Sequence, residues 1–144
     1  MTKEDKLYIL RTKPWDEEFH RSRIMFCIKD GEVKVGPKGT KNSHLEWFIN
    51  EGWTTEENAE EFMSKVIRGF YLPKENALYC YKGIGFWFDD EVISEIKKRL
   101  PEIKEALNLN DETKINFGPK DSPIDRVTYP QKYEGTIGEL LKKN

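Results

Sequence analysis

The chain is poor in the residues that most often announce a chemistry. It has two cysteines and two histidines. Cys27 and Cys80 form no CxxC, and no second pair exists to complete a zinc site. Both lie in apolar, strand-like runs, the setting of reduced core thiols in a cytosolic protein. No stretch approaches the ~18 apolar residues of a membrane-spanning helix. The opening MTKEDKLYIL lacks the apolar core and cleavage site of a signal peptide. A cytoplasmic location and no membrane contact are therefore expected. A basic excess is missing as well: 24 Lys and Arg stand against 26 Asp and Glu, a formal charge of −2. Neutralising a phosphate backbone needs such an excess or a concentrated basic patch, which argues against a nucleic-acid partner.

The catalytic signatures are absent too. There is no HExxH and no GxSxG. His44 and Glu46, two residues apart, would point about 200° away from each other around a helix. The acid pairs Glu56-Glu57 and Asp89-Asp90 suit helix starts, where the dipole favours negative charge. The sequence thus assigns no catalytic residue, no metal ligand and no cofactor, and leans away from an enzyme.

What is present is a folding pattern. At 144 residues, with 12% aromatic and 35% charged side chains, the chain is long enough for one core beneath a charged surface. Residues 7–11 read as a short strand. In 22–29, SRIMFCIK, both alternating sets are apolar, which predicts a strand covered on both faces. Asp30-Gly31 is a type I′ hairpin turn, and 32–35 returns antiparallel. S-x-x-E or T-x-x-E capping boxes at Ser43, Thr54 and Thr136 predict helices over about 44–51 and 55–67 and near the C-terminus. Residues 69–88 read as a second hairpin turning at Glu75-Asn76. A helix with the stripe Val92, Ile93, Ile96 and Leu100 follows, is interrupted or restarted at Pro101, and ends near 108. Residues 113–117 add a strand. The expected class is α+β, an antiparallel sheet of about five to six strands packed on three to four helices. Residues 1–117 form the domain, and 118–144 form a Gly/Pro/charge-rich arm with a short helix at its end. Little regular structure is expected over 118–135, and that arm could wrap a second copy of the chain.

One stretch carries ligand-binding chemistry. GPKGTKNSH, 36–44, joins glycines and lysines to a helix start, the parts of an anion cradle. The P-loop spacing, with lysine directly before Ser or Thr, is not met. Lys38, Lys41, Ser43 and His44 are the candidate contacts there. Arg23 opens the apolar strand, Arg68 follows the second helix, and Tyr79 and Tyr81 alternate to one face of theirs. If the two hairpins adjoin, these arginines and aromatics line one surface suited to planar or anionic ligands or to a protein partner. The plainer reading packs the tyrosines under a helix. Trp15, in a polar stretch, is the tryptophan expected to be exposed. Gly83 and Gly85 read as a bend in a strand rather than as a dinucleotide site.

Ser43-His44-x-Glu46-Trp47-Phe48, Arg68-Gly69-Phe70, Tyr81-x-Gly83 and Phe86-Trp87-Phe88-Asp89 together resemble small phage- and prophage-encoded accessory proteins of Gram-positive bacteria, over roughly residues 22–107. The resemblance brings no assigned site. It implies a protein that acts inside a bacterial host by binding a host protein or by sequestering a small signalling molecule. The expected function is therefore a non-catalytic binding module for a host protein or an anionic, nucleotide-like small molecule. The alternatives are a small hydrolase or nucleotide-processing enzyme using His44 or His20, and a structural or oligomerisation protein.

Overall fold

A computed structural model describes residues 23–38, 44–82, 90–117 and 133–142. The strand expected at 7–11, Trp15, the glycines at 83 and 85, and residues 118–132 of the expected arm lie outside the described residues.

The fold is α+β. A six-stranded sheet contains β1 (Ile24–Lys29), β2 (Glu32–Lys38), β3 (Ile67–Leu72), β4 (Ala77–Lys82), β5 (Lys114–Phe117) and β6 (Tyr133–Thr136), in the order β2-β1-β3-β4-β5-β6. The helices are α1 (His44–Asn50), α2 (Ala59–Lys65), α3 (Asp90–Leu107) and α4 (Ile137–Lys142). The hairpins form where the turn residues place them. Asp30 and Gly31 both take positive φ, 53° and 76°, as a type I′ turn requires. Asn76, at φ 51°, closes the second hairpin. The two hairpins adjoin through the β1–β3 pairing. The β4–β5 pair is parallel, because α3 carries the chain back across the sheet between them.

Several expectations change. The second helix begins at Ala59 rather than near 55, and the Thr54–Glu57 capping box does not form. Instead the Asn58 N–H donates to Thr55 Oγ1 at 3.3 Å, so 55–58 is a turn. The same helix ends at Lys65, since pairing with β1 draws Ile67 into β3. Residues 133–135, expected to be irregular, belong to edge strand β6, whose ladder to β5 supplies the order that its short polar sequence does not advertise. At its end the Thr136 box does form: the Glu139 N–H donates to Thr136 Oγ1, and the Thr136 N–H to Glu139 Oε1, each at 3.1 Å. Helix α3 runs through Pro101 without a break.

The register sorts the sheet into two faces. Phe26, Gly69, Cys80 and Phe117 are successive cross-strand partners on one face. That face packs against Val92, Ile96, Leu100, Ile103 and Leu107 of α3 and against α4. Cys27, Arg68 and Tyr81 are partners on the other, beside the row Met25, Phe70, Tyr79 and Asn116. Over Met25 and Cys27 lie Leu45, Trp47 and Phe48 of α1 and Ala59 and Met63 of α2.

Gly69 is fixed by this packing. A Cβ there would stand 1.8 Å from the Tyr79 carbonyl oxygen and 2.7 Å from the Phe26 ring. Neither backbone nor a buried ring can yield that much without opening the sheet. Gly69→Ala is expected to cost roughly 2–3 kcal/mol through overpacking, read as a lower denaturant midpoint. An unchanged midpoint would show that the ring and the strand have room to separate.

Candidate functional site

Four of the eight residues singled out in the sequence converge. Arg23, His44, Arg68 and Tyr81 gather where α1 begins over β3 and β4. The Arg68 Nη1 donates to the Tyr81 hydroxyl at 3.3 Å, and its guanidinium carbon lies 4.8 Å from the centroid of the same ring. His44 Nε2 is 2.9 Å from the Gly69 carbonyl oxygen, and the ring meets Tyr81 edge to face at 6.4 Å. The backbone of Phe26, the cross-strand partner of Gly69, also favours the protonated ring, though less than burial disfavours it. The bond to Gly69 ties the helix start to the β1–β3 seam.

The cluster is not a surface. Arg23 is 1% exposed, Arg68 2%, Tyr81 1% and His44 4%. Among the residues whose side chains are described, no Asp or Glu is buried. Burial pulls the Arg23 guanidinium down to about 10, with Tyr81 and Glu46 opposing that shift and Arg68 adding to it. Burial also lowers Arg68 and raises the Tyr81 hydroxyl. His44 is driven well below the ordinary imidazole value by burial first, then by Arg68 and Arg23. It is a neutral ring that donates its Nε2 proton to a carbonyl. That is the arrangement of a histidine that seats a helix, and it counts against His44 as a general base, which must open into a cleft.

The other expected contacts are placed elsewhere. Lys38 is exposed at the end of edge strand β2, and Lys41 and Ser43 lie outside the described residues. Tyr79 is half-buried and stacks on Phe70 with centroids 5.0 Å apart. Gly36 is buried, and a Cβ on it would come within 3.3 Å of the Trp47 ring, so packing uses the glycine that a ligand was expected to approach. Helix α1, at seven residues, is short for a strong dipole.

The open concavity lies beyond α1. A groove of about 570 Å³ runs between the β1–β2 turn at Asp30, the connection from Gly52 to Thr55, and the Asn58, Glu61, Phe62 and Lys65 side of α2. Trp53 and Phe62 give it an aromatic floor. The α1 terminus places Trp53 there. Gly52 takes φ 77°, its N–H donates to the Ile49 carbonyl, and the Trp53 N–H donates to the Phe48 carbonyl, each at 3.0 Å. This is a Schellman ending, with its usual apolar contact between Trp53 and Phe48 at 5.6 Å. Trp47 meets Trp53 at 5.3 Å, and Phe62 meets Phe48 at 5.3 Å, so the floor is braced from beneath. At the rim, Lys29 Nζ bonds Asp30 at 2.6 Å and lies 5.7 Å from the Trp53 centroid. Lys65 bonds Glu61 at 3.0 Å along the helix. From sequence alone Trp53 reads as a residue of the core or its edge. A tryptophan after a helix-ending glycine, within the polar Gly-Trp-Thr-Thr connection, was the available signal.

Two outcomes follow from the buried groups. Because His44 takes up its proton less readily folded than unfolded, its contribution to stability is whole above about pH 6.5 and is lost as the pH falls below that value. Between pH 7 and pH 5.5 the loss is expected to be roughly 1 kcal/mol, and His44→Gln should show a correspondingly flatter pH dependence of unfolding. Parallel profiles for the two proteins would contradict it. Burial pushes the Cys27 thiol up to about 12 and Cys80 higher still. At pH 8 neither should react with a maleimide in the folded chain, and both should react in urea; rapid native labelling would show that this core opens.

No family model, no curated protein and no solved structure matches the chain.

Proposed function

We propose that this protein is a non-catalytic binding module that holds a segment of a protein partner in the groove floored by Trp53 and Phe62. The observation that carries this reading is a concavity of about 570 Å³ whose aromatic floor is braced by Trp47 and Phe48. A floor already held by packing costs little to order on binding, and aromatic side chains supply contact area with few rotors to freeze. The lining mixes lysines with carboxylates, as a polypeptide site does, whereas an anion site at Arg23, Arg68 and His44 would need those groups at a surface. The resemblance to phage and prophage accessory proteins supports a host protein as the partner.

Selection of random dodecapeptides against the full chain tests the reading. Peptides recovered should lose roughly tenfold or more in affinity on Trp53→Ala, which removes the floor. They should lose as much on Lys65→Trp, which fills the groove from an exposed helix position and leaves the core alone. Glu105→Lys, exposed on α3, should leave binding unchanged. Peptides indifferent to both groove variants would refute the assignment.

A further inference from the structure

The groove carries its own counter-charges. Among the described residues, four charged ones line it, Lys29, Asp30, Glu61 and Lys65. Lys29 is bonded to Asp30 at 2.6 Å and Lys65 to Glu61 at 3.0 Å. The Lys29 ammonium also lies near the Trp53 ring. A lysine or arginine brought in by a partner would compete with Lys29 for that ring and with both lysines for their carboxylates. An incoming aspartate or glutamate would compete with the carboxylates for the lysines. Either exchange trades one ion pair for another and adds the cost of taking the new charge out of water. The lining therefore selects against charge of either sign.

The uncharged part of the lining offers two kinds of contact. Trp53 and Phe62 are half-buried, and each ring rests on Phe48. Asn58 lines the same groove and is exposed. It stands at the N-cap position of α2, yet its side chain makes no capping hydrogen bond. The turn before α2 is closed instead by the Asn58 N–H, which donates to Thr55 Oγ1. The Asn58 side chain thus keeps the donor and the acceptor of a primary amide, the complement of a peptide unit.

Resting on the reading of the groove as a polypeptide site, we infer that its occupant is a short, uncharged, non-helical segment of the partner, anchored by one large apolar side chain on Trp53 and Phe62. Asn58 pairs with a peptide unit beside that anchor. Its amide N–H donates to a backbone carbonyl, and its oxygen accepts a backbone N–H. A helix uses those backbone groups internally, whereas an extended segment presents them. The anchor supplies affinity by leaving water, and the amide fixes the direction and register of the segment.

The selected dodecapeptides test this by their composition, their salt dependence and one further variant. Groove-dependent peptides should share one large apolar residue between uncharged neighbours, and its replacement by alanine should cost roughly tenfold in affinity. Their affinity should change by less than about twofold between about 50 and about 300 mM salt, since no charge crosses the interface. Asn58→Ala should weaken them by roughly threefold or more while leaving the urea midpoint of the protein unchanged, because the side chain caps nothing. Groove-dependent peptides that require a charged residue, that weaken steeply with salt, or that are indifferent to Asn58→Ala would overturn the inference and leave the groove reading standing. Peptides indifferent to Trp53→Ala and Lys65→Trp would overturn both.

Discussion

The pairing of Phe26 with Gly69 is the constraint on which the rest of the structure depends. On one face the missing side chain of Gly69 leaves space that the Phe26 ring occupies, and α3 packs over that row. On the other face His44 Nε2 donates to the Gly69 carbonyl and so fixes where α1 starts. Once α1 is seated, its Schellman ending sends Trp53 back beside Phe48, and the turn that follows delivers α2. A contact between two central strands thus positions a groove on the outside of the molecule.

Burying Arg23 and Arg68 beside that seam is costly, because each guanidinium leaves water. Tyr81 offsets part of the cost by offering its ring face and hydroxyl to Arg68, and Glu46 favours the charged form of Arg23. The polar groups that look most like ligand contacts are therefore committed to the interior. The half-buried aromatic pair Trp53 and Phe62 instead lines the groove beyond α1. The same sheet face serves both purposes, with the polar cluster at the start of α1 and the groove past its end.

Much of the fold was legible because local chemistry and tertiary structure agree. Asp30-Gly31 and Asn76 sit where positive φ is needed, and the doubly apolar run of β1 lies between two covered faces. Where they disagree, tertiary pairing wins: Ile67 fits a helical stripe but is claimed by the ladder to β1, and the polar residues of β6 are ordered by β5. The convergence of Arg23, His44, Arg68 and Tyr81 could be anticipated from strand alternation, given adjoining hairpins. Their depth could not, because alternation names a face without saying what covers it. The groove was hidden for a related reason. Trp53 and Phe62 are apolar residues of ordinary core type, and it is the helix ending at Gly52 that sends Trp53 to the side where Phe62 of α2 lines the opening.

The measurement that bears most directly on this division of labour is side-chain ¹⁵N NMR of His44, Arg23 and Arg68 in the intact protein. The expected spectrum shows His44 neutral with its proton on Nε2 from pH 7.5 to pH 6, and guanidinium Nε–H signals of both arginines exchanging slowly with water. A His44 that titrates at the ordinary imidazole value, with fast-exchanging arginine protons, would mean that the cluster is open to solvent. It would then stand as a ligand site in its own right, and the separation of a buried polar cluster from an outward-facing groove would be contradicted.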